Sequence, residues 1–298
     1  MYWRSADQAA GNAEKHASPI EIRSWQWFSA RRHRLLRAAR QTLVSPGELS
    51  RLKRHAHAQA QRLAILLEDW RRRRPIEDPL IESIERQRTT WLQENTGGAS
   101  RAFDDKHSLA RACRASIRPI WAELLYRIAR DTAPRVLLEL GTNLGISSAY
   151  LAAGGRGHGS FVITLDGAPA RLKLAQWLHR DLKLSGVAYR VGRFQQTLKP
   201  VLEERSPIDF AFIDGNHRRI PTLDYFDAIH PHLTDGALVI FDDIYWSGEM
   251  VDAEHTLCQD QRFAFMVDLA QMGIGVTRMQ PADVGPRVFR IAGPSHWF

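Results

Sequence analysis

Apolar positions recur along this chain with two different periods. From Ser18 to Val44, Trp25, Phe28, Leu35, Leu36 and Leu43 stand among arginines, which predicts an amphipathic helix opened by Ser18-Pro19 and stopped by Ser45-Pro46-Gly47. Leu52, Ala56, Leu63, Leu66 and Trp70 continue at three- and four-residue steps and predict a second helix from Glu48 to about Arg72, closed by Pro75. The stretch from Glu94 to Lys106 has loop composition, suited to an interhelical connection or to a lid over a ligand. A helix from about His107 to Asp131 then carries Leu109, Ile117, Trp121, Leu124, Leu125 and Ile128 toward an apolar partner. Beyond it the pattern changes to short apolar runs: Val136 to Leu140, Ser160 to Asp166, Val187 to Val191, Ile208 to Ile213 and Ala237 to Ile244. Such runs suit strands buried on both faces, and a helix from Pro169 to Leu184 separates two of them. A helix from Gly248 to Cys258 and strand candidates at Phe263 to Leu269, Gly273 to Thr277 and Val288 to Ile291 close the chain. The expected fold class is α/β, a doubly wound Rossmann-like sheet (residues 134–298) behind an N-terminal α-helical domain (residues 1–133).

Composition narrows the setting. Two cysteines in 298 residues, Cys113 and Cys258, make neither a disulfide framework nor a zinc spacing, and fit a reducing, cytoplasmic compartment. No apolar stretch is long enough for a signal sequence or a membrane span. The net charge of +8 is uneven: residues 1–134 hold 25 Lys and Arg against 15 Asp and Glu, a net of +10, which leaves −2 for the remainder. Arg71 to Arg74 form the densest basic run, read as a solvated helix end with cations favoured by the dipole. His55 and His57, two apart on a helix, point to opposite sides and are expected at the surface, not on a shared metal.

Candidate chemistry begins at VLLELGTNLGISSAYLAA, residues 136–153. Gly141 and Gly145 permit a sharp turn between strand and helix, and backbone N–H groups at the helix start favour an anionic or carboxylate-bearing ligand, with Ser147 and Ser148 as further donors. The glycine spacing is neither that of a dinucleotide fold nor that of a phosphate loop. The run Glu139-x-Gly141-x-x-x-Gly145-x-Ser147 resembles the first motif of class I S-adenosylmethionine-dependent methyltransferases, in their catechol O-methyltransferase-like branch. The resemblance implies a seven-stranded sheet and a cofactor site built from Glu139, Gly141, Asn143, Gly145 and Ser147. Asp166, ending the next strand, stands where a carboxylate can accept both ribose hydroxyls. Gln195, after Phe194, falls where the resembling enzymes present a polar side chain to adenine.

Three further acids end two later strands: Asp214 after the fourth, Asp242 and Asp243 after the fifth. Neighbouring parallel strands bring their tips together, and carboxylates that close call for a cation; oxygen ligands with room for water suit Mg²⁺ or Mn²⁺. The same three positions match the metal ligands of the catechol O-methyltransferase-like branch, which commonly has Asn at Asp243, whereas the macrolide and aminocoumarin sugar O-methyltransferases carry the Asp-Asp pair. His217, three residues past Asp214, replaces the lysine that is the general base in the catechol enzymes. Asp214 and His217 are thus the expected catalytic residues. The resemblance covers about residues 135–292 and implies an S-adenosylmethionine-dependent, Mg²⁺-assisted O-methyltransferase acting on a hydroxylated small molecule. A homodimer is compatible with the sequence. Two alternatives stay open: an RNA methyltransferase gripping nucleic acid with the basic helices, and a cofactor-retaining interaction protein without catalysis. Against the first, no aromatic-basic groove motif accompanies the arginines.

Overall fold

The computed structural model describes residues 47–94, 108–280, 282 and 284–294. The helix expected over 18–44 and nearly all of the loop expected over 94–106 lie outside these residues.

The helices of the first part are α1 (Glu48–Lys53), α2 (Ala58–Arg71), α3 (Pro79–Gln93), α4 (Leu109–Arg114) and α5 (Pro119–Thr132). The helix expected from Glu48 to Arg72 is interrupted at 54–57, where His57 caps α2 by accepting from the Gln59 amide at 3.2 Å. His55 and His57 are therefore not helical surface residues but half-buried turn residues packed on the Phe265 ring, at centroid distances of 5.2 and 5.6 Å. Helix α3 was not expected. Its signals were local: Asp78 accepts from the Leu80 amide and Pro79 takes the first helical position, ahead of the buried Ile81, Ile84 and Trp91. The helix expected over 107–131 is split in two because Pro119 starts a new helix after an extended Arg118.

The remaining elements alternate: β1 (Val136–Leu140), α6 (Ile146–Gly155), β2 (Phe161–Asp166), α7 (Pro169–Asp181), β3 (Val187–Val191), α8 (Phe194–Arg205), β4 (Ile208–Ile213), α9 (Arg219–Ile229), β5 (Leu233–Phe241), α10 (Gly248–Leu257), β6 (Phe263–Asp268), β7 (Gly273–Thr277) and β8 (Arg287–Arg290). They form one eight-stranded sheet in the order β3-β2-β1-β4-β5-β7-β6-β8. Among the described strands only β7 runs antiparallel to both of its neighbours. Among the described residues the sheet has one strand more than the expected seven, because β6 and β7 pair antiparallel and β8 then adds parallel to β6 at the edge. Phe289 makes that edge worthwhile, fully buried against Phe265 and the His55 ring.

Alternation along the central strands sorts the core into two layers. Leu137, Phe210, Phe212, Leu238 and Ile240 face α1–α7, in one apolar cluster with Leu63, Trp70, Trp121 and Ile128. Leu138, Leu140, Ala211, Ile213, Val239 and Phe241 face α8–α10. The expected boundary at 133/134 falls in the turn between α5 and β1, where Ala133 is left-handed, and residues on its two sides share the first cluster. Among the described residues no helix is long and apolar enough to cross a membrane.

Trp70 joins the helices of this layer: its ring packs on Trp121 at 5.0 Å and its indole N–H donates to the Ile120 carbonyl at 2.7 Å. Trp70→Ala should lower the unfolding free energy by about 3–5 kcal/mol, read from the urea midpoint.

Candidate active site

Register decides where the polar residues gather. Leu140 of β1 pairs with Leu165 of β2 and with Ile213 of β4, and Ile213 pairs with Phe241 of β5. The next residue on each strand therefore stands at one level: Gly141, Asp166, Asp214 and Asp242.

The loop after β1 turns through three left-handed residues, Gly141 (φ 109°), Asn143 (φ 46°) and Gly145 (φ 81°). A Cβ on Gly141 would lie 2.0 Å from the Asp214 carbonyl oxygen, so only glycine lets β1 and β4 exit side by side. The Gly141 and Thr142 amides donate to the Leu165 carbonyl, and the Asn143 amide donates to Asp166 Oδ2 at 2.8 Å. Asp166 Oδ1 accepts from the Ala168 amide at 2.8 Å. Each oxygen retains acceptor capacity beyond that bond. The Asn143 side chain reaches away from the sheet, donating to the Ala112 carbonyl and to Ser116 Oγ between α4 and α5.

Glu139 is fully buried beneath this loop and accepts from Thr164 Oγ1. The Ser147 and Ser148 hydroxyls lie near it, yet among the described residues its Oε1 has no hydrogen-bond partner. Burial raises its carboxyl to about 7, against the opposing pull of the Ser147, Thr164 and Ser148 hydroxyls. Gln195 is exposed on the first turn of α8. Beside it, Phe194 packs over Gly215, whose missing Cβ would lie 2.6 Å from the ring, and meets Tyr225 edge to face.

On the other side of Gly141 stand the acids. Asp214, in the β4–α9 turn, faces His217, with Nε2 and Oδ1 3.4 Å apart. Asn216, His217 and Asp243 all have positive φ, a concentration of strained non-glycine backbone at one site. Burial raises the Asp214 carboxyl, opposed by His217, while burial with the charges of Asp214 and Asp243 raises Asp242 well above the usual range. Burial pulls His217 down, but the Asp214 hydrogen bond and the three carboxylates more than offset it and place the ring at about 9. In this state the imidazole is protonated at neutral pH and acts as counter-ion.

No motif points to Gln271, in the β6–β7 turn. Its amide donates to Oδ1 of both Asp242 (3.2 Å) and Asp243 (2.5 Å), and Arg118 Nη2 lies 3.5 Å from its Oε1. A turn glutamine between two strands carries no motif; only the fold brings it to the acids. Among the described residues no trio of His, Cys, Asp or Glu side chains is gathered closely enough to hold a metal ion. The expected residues therefore fall into two adjoining groups, the loop group of Glu139, Gly141, Asn143, Gly145, Ser147 and Asp166 and the acid group of Asp214, His217, Asp242 and Asp243, with Gln195 on a neighbouring helix.

Residues 138–244 match the methyltransferase domain family. An O-methyltransferase from Bacillus cereus, solved in complex with S-adenosylhomocysteine (SAH), superposes with a TM-score of 0.53 at 16% identity, over 72% of this chain and 97% of that one. An O-methyltransferase structure from Klebsiella pneumoniae gives 0.52 at 16% identity, covering 74% and 100%. The SAH-bound methyltransferase of Podospora anserina gives 0.51 at 16% identity, covering 68% and 97%. None of the curated proteins compared matches the chain. Residues 138–244 are thus similar to a methyltransferase domain, and the fold is that of these solved methyltransferases, in agreement with the resemblance drawn from the glycine loop and strand-end acids.

Glu139 supplies a pH test. Its carboxyl lies at about 7 when folded, against an ordinary 4.5, so the proton is held more tightly in the folded chain. The stability this contributes is complete below about pH 4.5 and is lost as pH rises through about 7. Between urea titrations at about pH 5 and about pH 8, cofactor-free Glu139→Gln should lose less stability than the wild type.

Proposed function

We propose that this protein transfers the methyl group of S-adenosylmethionine to a hydroxyl oxygen of a small molecule, with a divalent cation, Mg²⁺ or Mn²⁺, held by Asp214, Asp242 and Asp243. The observation that carries the reading is the common level of the β1, β2, β4 and β5 tips, which sets a ligand-accepting loop beside an acid cluster. The loop suits the cofactor in that Glu139, a buried carboxylate beneath it, has among the described residues no hydrogen-bond partner on Oε1. Two of the solved relatives were captured with SAH.

S-adenosylmethionine supplies a methyl group on a positively charged sulfur, which the acceptor oxygen attacks as the carbon–sulfur bond breaks. Glu139, Gly141, Asn143, Gly145 and Ser147 form the loop around its amino acid end, Asp166 accepts from the ribose, and Phe194 and Gln195 border the adenine. The donor set of the acid group suits a hard cation, which would draw together three carboxylates not yet gathered closely enough to hold one, and the charges of Asp214 and Asp243 already raise the proton affinity of Asp242. Held there by Asp214, Asp242 and Asp243, such an ion would supply Lewis-acid chemistry that lowers the pKa of the acceptor hydroxyl. Offsetting the carboxylate charge also lowers the His217 pKa and fits its ring to accept the hydroxyl proton. Gln271 ties one oxygen of each neighbouring acid, which limits how those carboxylates can turn.

A small acceptor suits the basic helices better than RNA does. Arg72 pairs with Glu68 at 2.7 Å and Arg74 with Asp69 at 3.2 Å, so half of the densest basic run is already matched by acids of its own helix.

Calorimetry with SAH tests the cofactor site: Asp166→Ala should weaken binding about tenfold or more, roughly the loss of one charged hydrogen bond. A wild type that binds neither S-adenosylmethionine nor SAH would overturn the reading. For the acid group, Asp242→Asn and EDTA treatment should each abolish methyl transfer to an identified acceptor while leaving SAH affinity within about twofold, a difference under 0.5 kcal/mol. Undiminished turnover in EDTA, with no Mn²⁺ anomalous peak among the three acids, would remove the metal from the mechanism.

A further inference from the structure

The glycine loop is held at its start by bonds to β2, but its far end, Gly145, leans on a residue that no motif contains. His179 lies on α7, 34 positions away in sequence, and is only 1% exposed. Its Nε2 is 2.7 Å from the Gly145 carbonyl oxygen and its Nδ1 is 2.7 Å from Tyr189 Oη on β3. A carbonyl can only accept, so Nε2 must carry the proton, and Nδ1 must then accept from the tyrosine hydroxyl. The tautomer follows from the partners. Burial lowers the ring to about 4, so at neutral pH it adds no charge beneath the loop.

Gly145 needs this support because of its own geometry. It is left-handed, it opens α6, and its carbonyl also accepts the first helical bond, from the Ala149 amide at 3.0 Å. Its amide donates only within the loop, to the Thr142 carbonyl at 2.8 Å. The imidazole thus supplies a bond from outside the loop at the point where loop becomes helix. The fit is close: a Cβ on Gly145 would stand 3.0 Å from His179 Nε2 and 2.6 Å from the Ala175 Cβ. Ser148 Oγ, 3.4 Å from the same nitrogen, links the ring to the hydroxyls that surround Glu139. Tyr189 stacks on the imidazole at 5.7 Å and 22°, which fixes the ring plane.

We propose that His179, with its tautomer set by Tyr189, is a positioning residue for cofactor binding: it locks the Gly145 carbonyl so that the N–H groups at the start of α6 are presented to the ligand. The proposal rests on the cofactor reading given above and deepens it. The ring touches no ligand; it acts through the loop.

The test is SAH binding by calorimetry on the full-length wild type, His179→Phe, His179→Gln and Tyr189→Phe, with thermal unfolding of each cofactor-free protein. His179→Phe should weaken SAH binding about tenfold or more. His179→Gln, whose amide nitrogen can take the place of Nε2, should recover most of the affinity, and Tyr189→Phe should show a smaller loss. A residue that merely fills space would show the reverse, with Phe tolerated and Gln not. The ¹⁵N spectrum of the wild-type ring should show a neutral Nε2–H tautomer at neutral pH, a result available even where His179→Phe does not fold. Wild-type SAH affinity in His179→Phe, failure of Gln to rescue, or an Nδ1–H tautomer would overturn the proposal. A wild type that binds no SAH would instead overturn the cofactor reading beneath it.

Discussion

The register of the parallel strands around β1 is the constraint on which everything else in this molecule depends. Hydrogen bonding of β1 to β2 on one side and β4 on the other fixes Leu140 opposite Leu165 and Ile213, and β5 continues the row with Phe241. A shift by one residue would exchange the two faces of the strand and bury the wrong side chains. Because Leu137 and Leu138 belong to different apolar clusters, such a shift is strongly opposed on both faces. Core packing therefore sets the positions of polar residues that make no contact with the core.

Placing carboxylates at those tips carries an electrostatic cost, and the structure meets it in two ways. Under the loop, Glu139 is surrounded by hydroxyls and holds its proton to near neutrality. In the acid group, protonated His217 and the Gln271 amide offset the repulsion of Asp214, Asp242 and Asp243. Strained backbone at Asn216, His217 and Asp243 is maintained because strands on both sides fix where the chain must turn.

The helices before β1 take part in this arrangement as well as covering one face of the sheet. Asn143 of the glycine loop is tied to the α4–α5 junction, and Arg118, the residue that precedes α5, approaches Gln271 beside the acids. A charge surplus that suggested a nucleic-acid surface is in part internally matched, and the apolar faces of α2 and α5 are committed to the sheet.

Much of this was legible in the sequence. The five parallel strands are short apolar runs whose period is local, the glycine loop is a spacing, and the strand-end acids follow directly upon their strands, so each could be read without knowing what lies beside it. The helices fared less well at their interruptions: His57 and Pro119 break helices that the apolar spacing runs together, since a cap acts on one or two residues while periodicity averages over many. Helix α3 is marked locally only by Asp78-Pro79 at its start. β8 could not be assigned to an edge, because its partner is chosen by Phe289 packing on Phe265 and His55, residues distant in sequence. The same limit applies at the site. The chain by itself determined which residues carry charge, turn sharply or end a strand, because those properties belong to single residues and near neighbours. Only the tertiary structure decided that Gln271 bridges two acids, that His217 is held protonated by three of them, and that His179 reaches Gly145, because hydrogen bonds and Coulomb forces act over distances that the order of residues does not record.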